Sequence, residues 1–327
     1  MDRDSYFDNL KGFLIISVVV GHFLNPLIKD SDFAKYIITV IYSYHMPAFV
    51  FVSAYFGKHN SFEKLFKTLL VPYAVFQVIY LILSHAMWGR GGSLQFLQPA
   101  FSLWFLLSLF CWRAIIDQLI KVRWILPLSF IFGILVAFDT SIGAFASLGR
   151  TIAFLPFFLL GYTFDKDKFM KFANRTWVKI ASAVLILGIL IFLYFESGNI
   201  PFNELILKHS YKKAGQPEWG FLYRICLYAL STLLIYLIAA ITPRKHHWFT
   251  YLGKRTMSVY LLHGIVFKSI QYMTDTYEKI NTRWEILLTG LFAVVLVFVL
   301  SLKPLDTLIR KLSSLPVEKL LVKKSPR

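Results

Sequence analysis

The sequence predicts an all-α membrane protein, a polytopic bundle of about ten transmembrane helices with both termini cytoplasmic. Three observations lead there. Of 327 residues, 57% are hydrophobic and only 16% charged, whereas a soluble domain carries about 25% charged residues. The apolar residues fall in blocks of about 16–24, near the roughly 20 that a helix needs to cross a bilayer. Lys and Arg are unevenly shared between alternate connections, as membrane topology requires. The same composition excludes a disordered chain, a collagen-like fibre and a disulfide scaffold.

The spans follow in order. The first, about 10–28, is an apolar run interrupted by Lys11 and His22. The second, about 35–57, holds His45 and Pro47; the proline frees a backbone carbonyl and can bend the helix. The third is about 65–87. The fourth, about 99–120, carries Arg113. The fifth, about 124–140, is short. The sixth, about 145–164, carries Arg150, and the seventh is about 177–196. The eighth, about 218–241, holds Arg224. The ninth, about 248–273, contains Lys254, Arg255 and Lys268, and the tenth is about 285–303. Nine or eleven spans are also compatible with the short fifth block and the proline in the second. The longest polar connection, about 197–217, contains Pro201, Pro217 and the pair Lys212-Lys213. No soluble domain, repeat or low-complexity segment stands out, so residues 1–327 read as one domain. The flank before the first block mixes Arg3 with Asp2, Asp4 and Asp8, and no small-residue cleavage site follows the block, so no cleavable leader is evident. Cys111 and Cys226 lie in apolar blocks and read as reduced packing residues.

The formal charge is +17, from 35 Lys and Arg against 18 Asp and Glu. With the N-terminus inside, 21 of the loop cations fall on the cytoplasmic side and eight outside. That bias indicates a multi-pass protein of the cell membrane with both ends in the cytoplasm. It explains the basic composition without nucleic acid. Six cations remain within the spans: Arg113, Arg150, Arg224, Lys254, Arg255 and Lys268. A charge at the bilayer centre costs about 2.5–3.5 kcal/mol, and these spans hold almost no carboxylate at mid-depth. Such an excess points to a polar interior that receives an anionic ligand. For Lys254, Arg255 and Lys268, snorkelling to an interface is the competing reading.

The first helix concentrates chemistry on one stripe. Lys11 and His22 are about 20° apart around its axis and about 16 Å apart along it, and Asp8 lies about 40° from His22. An imidazole at mid-membrane can accept a proton from a hydroxyl; a buried histidine satisfied by a neighbour is the bland alternative. His45, in Tyr42-Ser43-Tyr44-His45-Met46-Pro47, reaches a depth comparable with His22. Thr256, Tyr260 and His263 share one stripe of the ninth helix. The histidines have no i, i+4 or His/carboxylate spacing, so no metal is expected. No phosphate loop and no GxSxG elbow is present, and Gly89, Arg90, Gly91 and Gly92 read as a flexible connection.

Five ordered segments together resemble the integral-membrane acyltransferase-3 family, most closely its fucose 4-O-acetylase-like branch. They are Phe7-Asp8-Asn9-Leu10-Lys11-Gly12 running to Gly21-His22; Tyr44-His45-Met46-Pro47 with Phe51-Val52-Ser53-Ala54; Leu103-Trp104-Phe105-Leu106; Arg150 leading into Phe154-Leu155-Pro156-Phe157; and Ser258-Val259-Tyr260-Leu261-Leu262-His263. Two positions depart from the family pattern. Lys11 stands where Arg is common, which keeps the charge but loses the bidentate fork, and Ser53-Ala54 stands for the usual Ser-Gly. The resemblance implies an O-acyltransferase, most simply an O-acetyltransferase. Its donor would be cytoplasmic acetyl-CoA or another acyl-CoA, used as co-substrate with no resident cofactor. Its acceptor would be a hydroxyl of an extracytoplasmic or surface sugar or polysaccharide. On that reading His22, with Lys11 and Asp8, does the chemistry. Arg113, Lys254 and Arg255 meet the CoA phosphates, and His45, Arg150, Arg224, Tyr260 and His263 face the acceptor. A transporter exporting a small anion or acyl metabolite is the alternative from another class, although these spans lack the deep carboxylates that proton-coupled carriers use.

Overall fold

The computed structural model describes residues 4–57, 61–89, 97–141 and 145–313. Arg3, Lys58, Arg90, Gly91, Gly92 and the basic residues from Lys319 to Arg327 lie outside the described residues. Among the described residues the structure is helical, with no strand. In order the helices are α1 (Ser5–Leu24), α2 (Asp32–Tyr55), α3 (Phe62–Leu65), α4 (Val71–Ala86), α5 (Trp104–Leu119), α6 (Ile125–Leu135), α7 (Leu148–Tyr162), α8 (Lys166–Ala173), α9 (Thr176–Glu196), α10 (Phe202–Leu205), α11 (Tyr211–Ala214), α12 (Gly220–Ile241), α13 (Thr250–Gly253), α14 (Thr256–Met273), α15 (Arg283–Leu300) and α16 (Lys303–Ser313).

Each predicted span holds a helix, but the helices are not alike. Six helical segments among the described residues are long and apolar enough to cross a bilayer: Ser5–Lys29, Asp32–Tyr55, Phe62–Ala86, Thr176–Glu196, Gly220–Ile241 and Arg283–Leu300. α6 and α7 are apolar but shorter. α5 begins at Trp104 instead of near 99, because the residues before it are not helical: Phe101 has φ +46°. α7 begins at Leu148 because Ala146 and Ser147 take positive φ. The ninth block is broken at Lys254 and Arg255 into α13 and α14.

α1 and α2 form the centre. α1 packs on α2, α13 and α15, and α2 on α7 and α12. The 20 residues of α1 show why it is central: Phe7, Leu10, Leu14, Ile15 and Val19 are buried on several sides of the helix. Two contacts are backbone against backbone. A Cβ on Gly253 would strike the Asp8 carbonyl, and one on Gly161 would strike that of Phe51. α9 and α15 lie at the periphery with apolar side chains such as Phe195 and Trp284 exposed, as lipid-facing helices require.

Hydrogen bonds define two ends of the bundle. At the first end, Asp4 pairs with Lys166, Tyr6 donates to the Ala239 carbonyl, and the Asn9 amide donates to the carbonyls of Pro243 and Lys245. At the second, Lys35 donates to the Gly198 carbonyl and Tyr277 to that of Phe23. Pro47 lies inside α2. The carbonyl it deprives of a donor is that of Ser43, and the Ser231 hydroxyl of α12 donates to it at 2.5 Å. The connection 197–217 is not a free outer loop: Leu205, Leu207 and Tyr211 are buried and fold it back over the second end.

Candidate active site

At the second end α1, α2, α7 and two irregular segments enclose a cavity of about 170 Å³. His22, Asn25, Tyr42, His45, Ser102, Trp104, Arg150 and Lys208 supply its polar and aromatic wall. His22 and His45 come from neighbouring turns of α1 and α2. The His45 Nδ1 lies 2.8 Å from the Ile41 carbonyl and donates to it, so its Nε2 is left as an acceptor. His22 is held by rings: Phe101 at 4.7 Å between centroids, His263 at 5.3 Å and nearly parallel, and Tyr42 at 6.4 Å. Among the described residues no hydrogen bond engages its ring nitrogens. The side chain is half-buried and lines the cavity.

Irregular backbone brings the other groups in. The Gln77 amide of α4 donates to the Gln98 carbonyl at 2.9 Å and accepts from the Ala100 N–H at 2.8 Å. The Tyr260 hydroxyl donates to the Ser102 carbonyl. These bonds hold Phe101 and Ser102 beside His22. Non-helical backbone at membrane depth is tolerated where it lines a cavity. α5 is locked to α7 by Trp112, which donates to the Thr151 carbonyl at 2.9 Å, and by the Ser108–Thr151 hydroxyl pair at 2.6 Å. That registration sets the Arg150 guanidinium over the Trp104 ring, 4.8 Å from its centre. Among the described residues no carboxylate pairs with Arg150, and none lines this cavity. Among the described residues, three buried polar atoms in or beside the wall have no partner: Asn25 Oδ1, Ser102 Oγ and His263 Nε2.

The candidate residues therefore separate. His22, His45 and Arg150 line one chamber. His263 stands behind His22, fully buried, with Nδ1 donating to the Val259 carbonyl at 3.0 Å; Tyr260 spends its hydroxyl on Ser102. Both support the wall and neither lines it. Lys11, Asp8, Arg113, Lys254 and Arg255 gather at the first end. Lys11 pairs with Asp8 at 2.7 Å and lies over Phe56. Arg113 donates to the Ser53 carbonyl at 2.7 Å. Arg255 stacks on Tyr251, and Lys254 follows the Gly253 contact with Asp8. Between Lys11 and His22 the stripe is filled by the buried side chains of Ile15 and Val18, so Lys11 and Asp8 do not touch the imidazole.

Arg224 departs from its expected place. It is 1% exposed, and its Nη2 lies 3.4 Å from Glu204 Oε2 and from the His209 carbonyl, while Nη1 donates to the Gly133 carbonyl. It is a buried, paired cation outside the chamber. The sequence reading missed the partner because Glu204 belongs to the connection that folds inward. Burial pushes the Glu204 carboxyl above its usual range and Arg224 pulls it back. Lys208 was missed for the same reason. Burial and the cations Arg150 and Lys268 hold its ammonium below the usual lysine range. Lys268 itself is engaged by Gln271 at 2.8 Å and Tyr272 at 3.1 Å.

The chain is 24% identical over 295 residues to nodulation protein NolL of Sinorhizobium fredii, which covers 82% of this chain and 79% of that protein. It is 24% identical over 325 residues to nodulation protein NolL of Mesorhizobium japonicum, covering 90% and 83%. No solved structure matches. An acyltransferase domain matches residues 4–302, nearly the whole described chain, and the protein therefore belongs to the acyltransferase-3 family of membrane acyltransferases.

Proposed function

We propose that the protein is a membrane O-acetyltransferase. It takes an acyl group from acyl-CoA at its first, cytoplasmic end and gives it to a hydroxyl of an extracytoplasmic or surface glycan. The observation that carries this reading is His22, whose ring nitrogens are unengaged among the described residues, lining a cavity beside Arg150 with no carboxylate among its described lining residues.

The chemistry follows from the groups present. A neutral imidazole nitrogen of His22 takes the proton of the acceptor hydroxyl, and the oxygen attacks the thioester carbonyl carbon. Negative charge then develops on the carbonyl oxygen, where the Arg150 guanidinium stabilises it in a low-dielectric site. The tetrahedral centre collapses, the C–S bond breaks, and the CoA thiolate leaves and takes up a proton. No covalent enzyme intermediate is needed. Lys11, Arg113, Lys254 and Arg255 at the first end supply charge for the CoA phosphates. The packed side chains of Ile15 and Val18 must part for the thioester arm to reach His22.

The test uses the full chain in detergent with acetyl-CoA and a sugar acceptor, following thioester loss and acetylated product. His22→Ala is expected to lower transfer by about 10²–10⁴-fold with an unchanged melting temperature. A rate equal to wild type would remove the proposed base.

A further inference from the structure

Beside the chamber, the connection between α9 and α12 builds a second cavity of about 270 Å³. Its wall includes Lys208, Lys213, His209, Arg224, Thr140 and Asp139. Lys208 lines both cavities; Gly149 lines this one while its neighbour Arg150 lines the other. The second cavity is thus a vestibule sharing a wall with the chamber, on the side where an extracytoplasmic acceptor approaches.

Its charge is one-sided. Arg224 is matched by Glu204, whereas Lys208 and Lys213 share, among the described residues, a single lining carboxylate, Asp139, and that group accepts from the Ser141 N–H and hydroxyl at 2.6 Å each. Lys213 is fixed at the rim by donating to the Thr140 carbonyl at 2.9 Å. Arg224 is wholly buried, and although Glu204 pairs with its Nη2, its Nε has no partner among the described residues. Arg150 and Lys268 add positive potential from behind Lys208. Keeping cations this close costs energy in a low dielectric unless an anion joins them. A neutral sugar needs no such arrangement.

We propose that the vestibule holds an anionic substituent, a carboxylate or a phosphate, on the sugar whose hydroxyl reaches His22, so that the acceptor is an acidic saccharide bridging Lys208 and Lys213. The inference rests on the acyltransferase reading and narrows its acceptor class.

The experiment is equilibrium binding to the full-length protein in detergent, with three probes: a uronic-acid trisaccharide, the matching neutral trisaccharide and a hexose phosphate. At least one charged probe is expected to bind the wild type roughly tenfold or more tighter than the neutral one, as a charge-assisted hydrogen bond implies. Which charged probe binds tighter tells a carboxylate from a phosphate. Lys208→Gln and the double variant Lys208→Gln/Lys213→Gln are expected to abolish the preference, while Lys303→Gln, on the distant α16, keeps it. Melting curves check folding, and the single variant decides the matter if the double one unfolds. Equal binding of charged and neutral probes, no binding of either charged probe, or a preference surviving Lys208→Gln would overturn the proposal. Running His22→Ala in the transfer assay beside this binding assay separates the two ideas. Loss of charge preference with His22-dependent transfer intact sinks the vestibule alone. A preserved preference with His22-independent transfer sinks the base alone.

Discussion

At the residue scale, the outcome for each buried cation turns on where a carboxylate could come from. Arg150 and Arg224 look alike in the sequence, each a lone charge in an apolar run. Arg150 has no carboxylate partner among the described residues and faces the chamber. Arg224 is neutralised by Glu204, and burial of that pair offers little net stability because desolvation opposes the attraction. Removing one partner is different, since it strands a buried charge. Glu204→Ala is expected to cost about 3–5 kcal/mol, seen as a lower melting temperature. The pair replacement Glu204→Leu/Arg224→Met should recover most of that loss. If the double variant melts no higher than the single one, the pairing account is wrong. Long-range pairs such as Arg224–Glu204 are invisible to a reading of span composition, because they depend on how a polar connection folds back. The His22 stripe was legible because helical periodicity alone aims it inward. Its separation from Lys11 was legible as a distance along the helix, but the packed barrier of Ile15 and Val18 was not.

At the element scale, helix positions could be read from apolar block length, while helix ends could not. The fourth and sixth spans start late because Phe101, Ala146 and Ser147 adopt backbone conformations that no helix contains, and tertiary bonds stabilise them. Pro47 was legible as a defect, and its consequence is an α2–α12 bond, Ser231 to Ser43. Gln77 is the least conspicuous of these devices. It supplies both hydrogen bonds that hold residues 98–100, and those residues place Phe101 and Ser102 in the wall. Gln77→Leu removes both bonds while keeping an apolar stem against its neighbours. It is expected to reduce transfer by about tenfold or more, since a shift of roughly 1 Å in a reacting site can cost about 10²-fold. The melting temperature should fall by only a few degrees. Unchanged turnover in this variant would show that the irregular segment has no part in positioning the chamber.

At the scale of the whole molecule, the polar groups sit in two separate regions joined by α1. A cationic region at the first end suits an anionic donor such as CoA, and the histidine chamber with its vestibule lies at the second. This division was legible in the sequence from the order of charges along the spans, and the proposed function takes the first end as cytoplasmic from the loop bias of Lys and Arg. The vestibule was not legible, because it is built by a connection with no periodic pattern. On the proposed function, this division requires vectorial chemistry: the acyl group would cross the bilayer while CoA stays behind. Oriented proteoliposomes test this most directly. Labelled acetyl-CoA is given on the side of the first end, and an acidic saccharide is enclosed on the other. The account predicts acetylated sugar in the compartment of the acceptor, free CoA thiol in the compartment of the donor, and loss of both in His22→Ala. Intact acetyl-CoA or free acetate crossing without any acetylated product, or product forming equally when donor and acceptor share one side, would contradict it.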